Sequence, residues 1–135
     1  MTAVSDVYTG HVDSHTAARR SLPGAGVIKM SVGPMDNNAY IVTCANTGES
    51  LLIDAANDPD LLVKLVEEQA PKLALIVTTH QHFDHWQALA AVAEATGAPT
   101  AAHELDAGPL PIPPERFLAG GDTLEVGHLV FDVIH

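Results

Sequence analysis

Residues 73–77 read Leu-Ala-Leu-Ile-Val with no polar interruption, and His80, His82, Asp84 and His85 follow at once. An unbroken apolar run of this length suits a strand covered on both faces. A strand so placed lies inside a sheet, and other layers must shield it. Just beyond its end the backbone is still extended, so alternate residues point the same way and the imidazoles of His80 and His82 can converge. Asp84 and His85 come next, on the turn into a helix. Four of these six consecutive positions are metal-ligand types, all of them suited to zinc. A rigid apolar strand is also the support that a preorganised ligand set requires.

Two rival readings of the cluster are weaker. A lone histidine after a strand would suit a surface loop, but three histidines and an aspartate at this spacing do not. A serine hydrolase would need a Gly-x-Ser-x-Gly elbow, which the chain lacks. The single cysteine, Cys44, closes the run Tyr40-Ile41-Val42-Thr43-Cys44 and reads as a buried strand residue rather than a nucleophile.

The rest of the chain supplies the covering layers. Residues 27–32, 39–44 and 50–54 read as strands, separated by turn-rich segments at 33–38 and 46–48. Asp58-Pro59 marks a helix start, Leu61, Leu62, Leu65 and Val66 form its apolar stripe, and Pro71 ends it. A second helix is expected from Asp84 or His85 to Thr96, with Gly97 as its stop. A short strand at 99–102, a loop with four prolines at 108–114 and a hairpin over 123–134 complete the pattern. Strands alternating with helices make this a mixed α/β chain. Residues 1–25 read as a polar N-terminal arm, and residues 26–135 as one domain portion. His11 and His15 lie four apart, but nothing around them reads as a stable helix.

Six basic against seventeen acidic residues give a net charge of −11. Such a surface repels nucleic-acid backbones and anionic membranes, so neither is expected as a partner. One cysteine allows no internal disulfide, and the chain has neither a signal-peptide pattern nor an apolar run long enough to span a membrane. A cytoplasmic location is expected.

The run Val77-Thr78-Thr79-His80-Gln81-His82-Phe83-Asp84-His85 resembles the His-x-His-x-Asp-His signature of the metallo-β-lactamase superfamily. Leu52-Ile53-Asp54-Ala55 is similar to the strand-ending aspartate before that family's first helix, and Asn37-Asn38-Ala39-Tyr40-Ile41-Val42 to its early strand. The resemblance covers residues 26–135, and the glyoxalase II (hydroxyacylglutathione hydrolase) subgroup, which shares this general plan, is the guide to substrate. It implies an αβ/βα sandwich, of which this chain would form the first βα half. It further implies two zinc ions, with iron or manganese as alternatives. His80 and His82 would hold one ion, Asp84 and His85 the other. Asp84 would also act in catalysis by orienting the nucleophile or carrying a proton. Asp54 would brace the ligand loop, though a plain turn-organising role fits its position equally well. The implied activity is hydrolysis of an ester, a thioester or a related small carbonyl substrate by metal-activated water.

Several features depart from the family pattern. The remaining family ligands, from a Gly-His-Thr loop onward, are not found, and His135 reads as the residue before that loop rather than as a ligand. A fragment is the expectation, inactive by itself. Its open sheet face would suit a second chain, so a homo-oligomer is among the expected partners. Trp86 stands where small residues are usual; it would line the pocket mouth or begin the helix packing. His103 and His128 read as turn residues. Two rivals to the hydrolase stand: an iron-dependent persulfide dioxygenase of the same fold, and a non-catalytic chain with half a site.

Overall fold

The computed structural model describes residues 3–135. Ten strands run in chain order: β1 Val4–Ser5, β2 Ala17–Leu22, β3 Ala25–Val32, β4 Asn37–Cys44, β5 Glu49–Ile53, β6 Lys72–Val77, β7 Thr100–His103, β8 Arg116–Leu118, β9 Thr123–Val126 and β10 Leu129–Asp132. Helix α1, Pro59–Gln69, joins β5 to β6, and α2, Leu89–Thr96, lies between β6 and β7. The first eight strands form one sheet in sequence order, and β9 and β10 form a separate hairpin. From β2 to β5 the neighbours are antiparallel; β5 to β8 are parallel. The parallel half exists because each connection, through α1, through α2 and through the proline-rich loop after β7, returns the chain to the same end of the sheet.

Alternation along the strands sorts residues between two faces. Ile28, Met30, Val32, Ala39, Ile41, Leu52 and Ile76 form one buried cluster with Leu62, Leu65 and Val66 of α1 and Leu89 and Val92 of α2. On the other face Ala101, Leu118 and Leu124 pack with Leu75, Val77, Phe131 and Val133. Strand β6 contributes to both clusters by alternation, Ile76 toward the helices and Leu75 and Val77 toward the hairpin. Ser50 pairs with Leu73 and Leu51 with Leu75, so Ala74 is an extra residue, and this bulge brings Leu73 onto the same face as Ile76. The expected strand is covered on both faces, fully at Ile76 and only partly at Leu75 and Val77. The hairpin side keeps a groove of about 270 Å³ between Leu51, Ile53, Val77, Leu124 and Phe131. No helix among the described residues is long and apolar enough to cross a membrane.

Four local differences from the sequence reading have physical causes. Within the expected arm, Ala17–Leu22 pairs along β3 from Ala17↔Met30 to Leu22↔Ala25; Arg19 and Arg20 hide this strand by breaking its apolar alternation. Strand β8 is only three residues long and leaves no periodic signal. Asp58 stands at the start of α1, but its carboxylate accepts the Gly33 N–H at 2.7 Å and makes no helix cap. The expected second helix is interrupted. Phe83–His85 is a single 3-10 turn, and the next amides leave the helical path: Gln87 N–H donates to Ala56 O and Ala88 N–H to Ala55 O. Only at Leu89 does α2 begin.

The hairpin docks through its turn. Gly127 has φ 58°, and a Cβ there would lie 2.8 Å from Cys44 Cβ and closer still to Thr47 Oγ1. Cys44 is buried, as the sequence suggests, and its Sγ accepts the His128 N–H at 3.3 Å. Gly127→Ala meets both a strained φ and a steric clash. It is expected to lower stability by more than about 1 kcal/mol, read as a fall in the urea midpoint with unchanged slope.

Candidate metal centre

Polar groups gather where β5, β6 and β7 end. In an open parallel sheet this carboxyl edge is where ligands bind, because the strand ends and their loops diverge there. Strand β5 leads into Asp54, which is 5% exposed and has φ 60°. Aspartate tolerates that left-handed backbone better than most residues, and here it turns the carboxylate across to the end of β6. Asp54 Oδ1 accepts the Thr79 N–H at 2.7 Å. Its Oδ2 accepts the Thr79 hydroxyl at 2.7 Å and His85 Nδ1–H at 2.8 Å. A buried carboxylate is tolerable only when its lone pairs are met in this way.

These contacts settle which ring nitrogens are free. His85 gives its Nδ1 proton to Asp54, which leaves the Nε2 lone pair open. The Thr79 hydroxyl has one proton, and Asp54 takes it. The hydroxyl oxygen then accepts from His80 Nδ1–H at 3.1 Å, so His80 also keeps an open Nε2. One carboxylate thus orients two imidazoles, one directly and one through a hydroxyl. The rings lie together: His80 and His85 are 3.9 Å apart between centroids, and His80 and His82 are 4.9 Å apart. Asp84 sits beside them, its Oδ2 3.7 Å from His85 Nε2.

Asn37, the first residue of β4, donates its side-chain amide to Asp84 Oδ2 at 2.9 Å. This bond holds the Asp84 carboxyl below its ordinary carboxylate pKa, partial burial opposes it, and His85 and His82 reinforce it. The carboxylate is therefore kept charged and acceptor-only. Three imidazoles with one charged carboxylate, two of the rings with their Nε2 atoms freed by hydrogen bonds behind them, form a donor set that fits a borderline metal such as zinc.

Residues 32–133 match the family model of the metallo-beta-lactamase superfamily. The chain belongs to that superfamily. Hydroxyacylglutathione hydrolase of Cereibacter sphaeroides is 38% identical over 92 residues, covering 68% of this chain and 35% of that protein. The enzyme of the same name from a Jannaschia species is 36% identical over 99 residues, covering 73% and 38%. This metallo-β-lactamase superfamily chain thus spans about a third of the length of these curated relatives. Among solved structures, the B3 metallo-β-lactamase BLEG-1 superposes with a TM-score of 0.73 at 22% identity, over 81% of this chain and 60% of that one. A protein crystallised in a di-iron-bound form gives 0.61 at 31% identity, over 71% and 56%. The chain corresponds to the N-terminal half of the superfamily fold.

His80, His82 and His85 stand at the sheet edge with Asp84, but not every histidine joins them. His11 bonds Asp13 and His15 lies 3.2 Å from Asp58, so the two do not act as a pair. His128 lies at the hairpin turn against Asn46. Trp86 is half-buried, packs against the main core and donates its indole N–H to Gln81 O at 2.8 Å. His103, Asp106 and His135 do gather, with donor atoms within 4.8 Å of one another. They are poorly arranged as ligands. His103 Nδ1 accepts the Leu105 N–H, which places the ring proton on Nε2, and the His103 and His135 rings stack face to face at 3.6 Å.

Sequence reasoning did not single out Thr79, Asn37 and Asp106. Thr79 and Asn37 lie inside the motif segments, but nothing in a linear sequence tells that their side chains face the site. Asp54→Ala would remove the carboxylate that accepts the Thr79 N–H and His85 Nδ1–H. It is expected to cost about 1–3 kcal/mol, with Asp54→Asn intermediate. Urea denaturation checks this, and wild-type stability in Asp54→Ala would refute the network.

Proposed function

We propose that this chain supplies one half of a binuclear metal site in a hydrolase acting on a small ester or thioester. The observation that carries the reading is the Asp54–Thr79–His80 and Asp54–His85 network, which frees two imidazole Nε2 atoms on the same side of the sheet edge. His80 and His82 would hold one ion, and Asp84 and His85 the other. A two-and-two division needs no trio of converging donors within this half. Metals in such a site lower the pKa of bound water and polarise a carbonyl oxygen.

The chain's own residues have distinct tasks. Asp54 keeps two rings in their ligand tautomers. Asn37 holds Asp84 charged and turned toward the rings, where its carboxylate can accept a proton of the attacking water and orient it. Relatives named hydroxyacylglutathione hydrolase, at 36–38% identity, support a hydroxyacylglutathione thioester as the substrate class. Zinc is the proposed metal on donor chemistry; the di-iron-bound neighbour supports iron as the alternative. Weaker support attends the iron-dependent oxygenase reading, which draws on a neighbour titled ETHE1 from Myxococcus xanthus at 26% identity. Residues 26–135 are proposed as the domain portion that carries the site. The cytoplasm is the proposed location, which suits a buried cysteine with no disulfide.

Elemental analysis of the intact protein, with both halves of the site present, decides the metal. Zinc is expected, together with hydrolysis of a hydroxyacylglutathione thioester followed by loss of thioester absorbance. Iron at one per chain, with oxygen uptake and no hydrolysis, would overturn the proposal. In the active protein, Asp84→Asn is expected to lower kcat by about 10²–10⁴, and Asn37→Ala to have a smaller effect in the same direction.

A further inference from the structure

Gln81 links His80 to His82 through two peptide groups, and each is held by a side chain. Its carbonyl accepts the Trp86 indole N–H at 2.8 Å, and its N–H donates to Asp106 Oδ1 at 3.1 Å. The two partners come from different places. Trp86 follows the 3-10 turn Phe83–His85 and packs on the main core; Asp106 closes the 3-10 turn Glu104–Asp106 after β7. Neither contact belongs to a helix or a strand ladder, so regular structure does not supply them. Asp106 is itself held. Its side chain is 13% exposed, and its Oδ2 lies 3.7 Å from His135 Nε2, whose ring stacks on His103.

We infer that Trp86 and Asp106 are positioning residues that clamp the two peptide groups flanking Gln81 and so fix the separation and direction of His80 and His82. The inference rests on the reading of those histidines as metal ligands. A two-residue step beyond a strand end has soft dihedrals, and rotation of either peptide group would swing the imidazoles apart. Fixing the N–H of the first and the C=O of the second removes that freedom before a metal arrives. Thr79 and Asp54 orient the His80 ring behind the strand end; the clamp sets the backbone in front of it. Trp86 thus has a role that neither pocket lining nor helix packing describes.

Three variants of the full 135-residue chain separate the clamp from simple packing. Trp86→Phe keeps an aromatic ring and removes the N–H. Asp106→Ala removes the acceptor, whereas Asp106→Asn keeps a side-chain carbonyl that can receive the Gln81 N–H. In the metal-free chain, NMR-detected amide exchange at Gln81 is expected to rise about tenfold in Trp86→Phe and Asp106→Ala, as loss of one net hydrogen bond implies, with the β6 amides unchanged. Zinc affinity, measured by competition with a chromogenic chelator, is expected to fall by about 10–100-fold in the same two variants, the range for residues that support metal ligands. Asp106→Asn is expected to resemble wild type in both measurements. Unchanged exchange in Trp86→Phe and Asp106→Ala overturns the clamp. So does faster exchange with undiminished zinc affinity, and so does an Asp106→Asn variant that behaves like Asp106→Ala. If the wild-type chain binds no zinc, its two donors per ion need the other half of the site, and the zinc comparison is made in the intact protein; if that too binds no zinc, the metal reading of the site fails, while the exchange pattern still decides the clamp.

Discussion

The buried carboxylate of Asp54 is the contact on which the edge of this sheet depends. It lies at the end of β5, yet all its partners belong to the chain after β6. Removing such a group from water is costly unless its lone pairs are filled. Thr79 and His85 fill them, and in doing so the end of β6 is tied to the end of β5. The same bonds select the tautomer of His85 and, through the Thr79 hydroxyl, that of His80. Stability and site geometry are therefore one network: a change that breaks the first disturbs the second.

That network can form only because the sheet places its strand ends side by side. Parallel pairing of β5, β6 and β7 sets Ile53 opposite Val77, and Val77 opposite Ala101. The residues that follow each strand then share one edge. Alternation along β6 covers it on both sides, toward the helices through Ile76 and toward the hairpin through the partly buried Leu75 and Val77, and the bulge at Ala74 adds Leu73 to the helix side. A strand packed on both faces moves little, and the histidines inherit that rigidity. The face toward the hairpin is only partly covered, in keeping with a chain that corresponds to the N-terminal half of its fold.

Around the loop that carries His80 to His85, supports come from distant parts of the chain. Asn37 reaches Asp84 from β4, forty-seven residues away in sequence. Asp106 and Trp86 meet the backbone N–H and C=O of Gln81 from different loops. The interruption after His85 belongs to this arrangement as well. Gln87 and Ala88 give their amides to the loop after β5 instead of continuing a helix, and Trp86 is thereby left free to turn back onto Gln81.

The sequence by itself determined the α/β class, the elements with clear periodicity or strong punctuation, and the histidine cluster. Helix α1 is legible from Pro59, its apolar stripe and Pro71; strands β3 to β6 are legible from apolar runs between turns. The spacing of His80, His82, Asp84 and His85 is a local property, readable wherever the chain goes. Strand β2 was hidden because its arginines break the pattern and its pairing comes from β3. Helix α2 starts late because amides after His85 find partners in another loop. Only the tertiary structure decided that Asp54 braces His85, that Thr79 sets His80, that Asn37 turns Asp84, and that Trp86 packs and bonds inward. Each of those contacts joins residues through side-chain hydrogen bonds whose partners are chosen by strand pairing and loop path, and a linear pattern records neither.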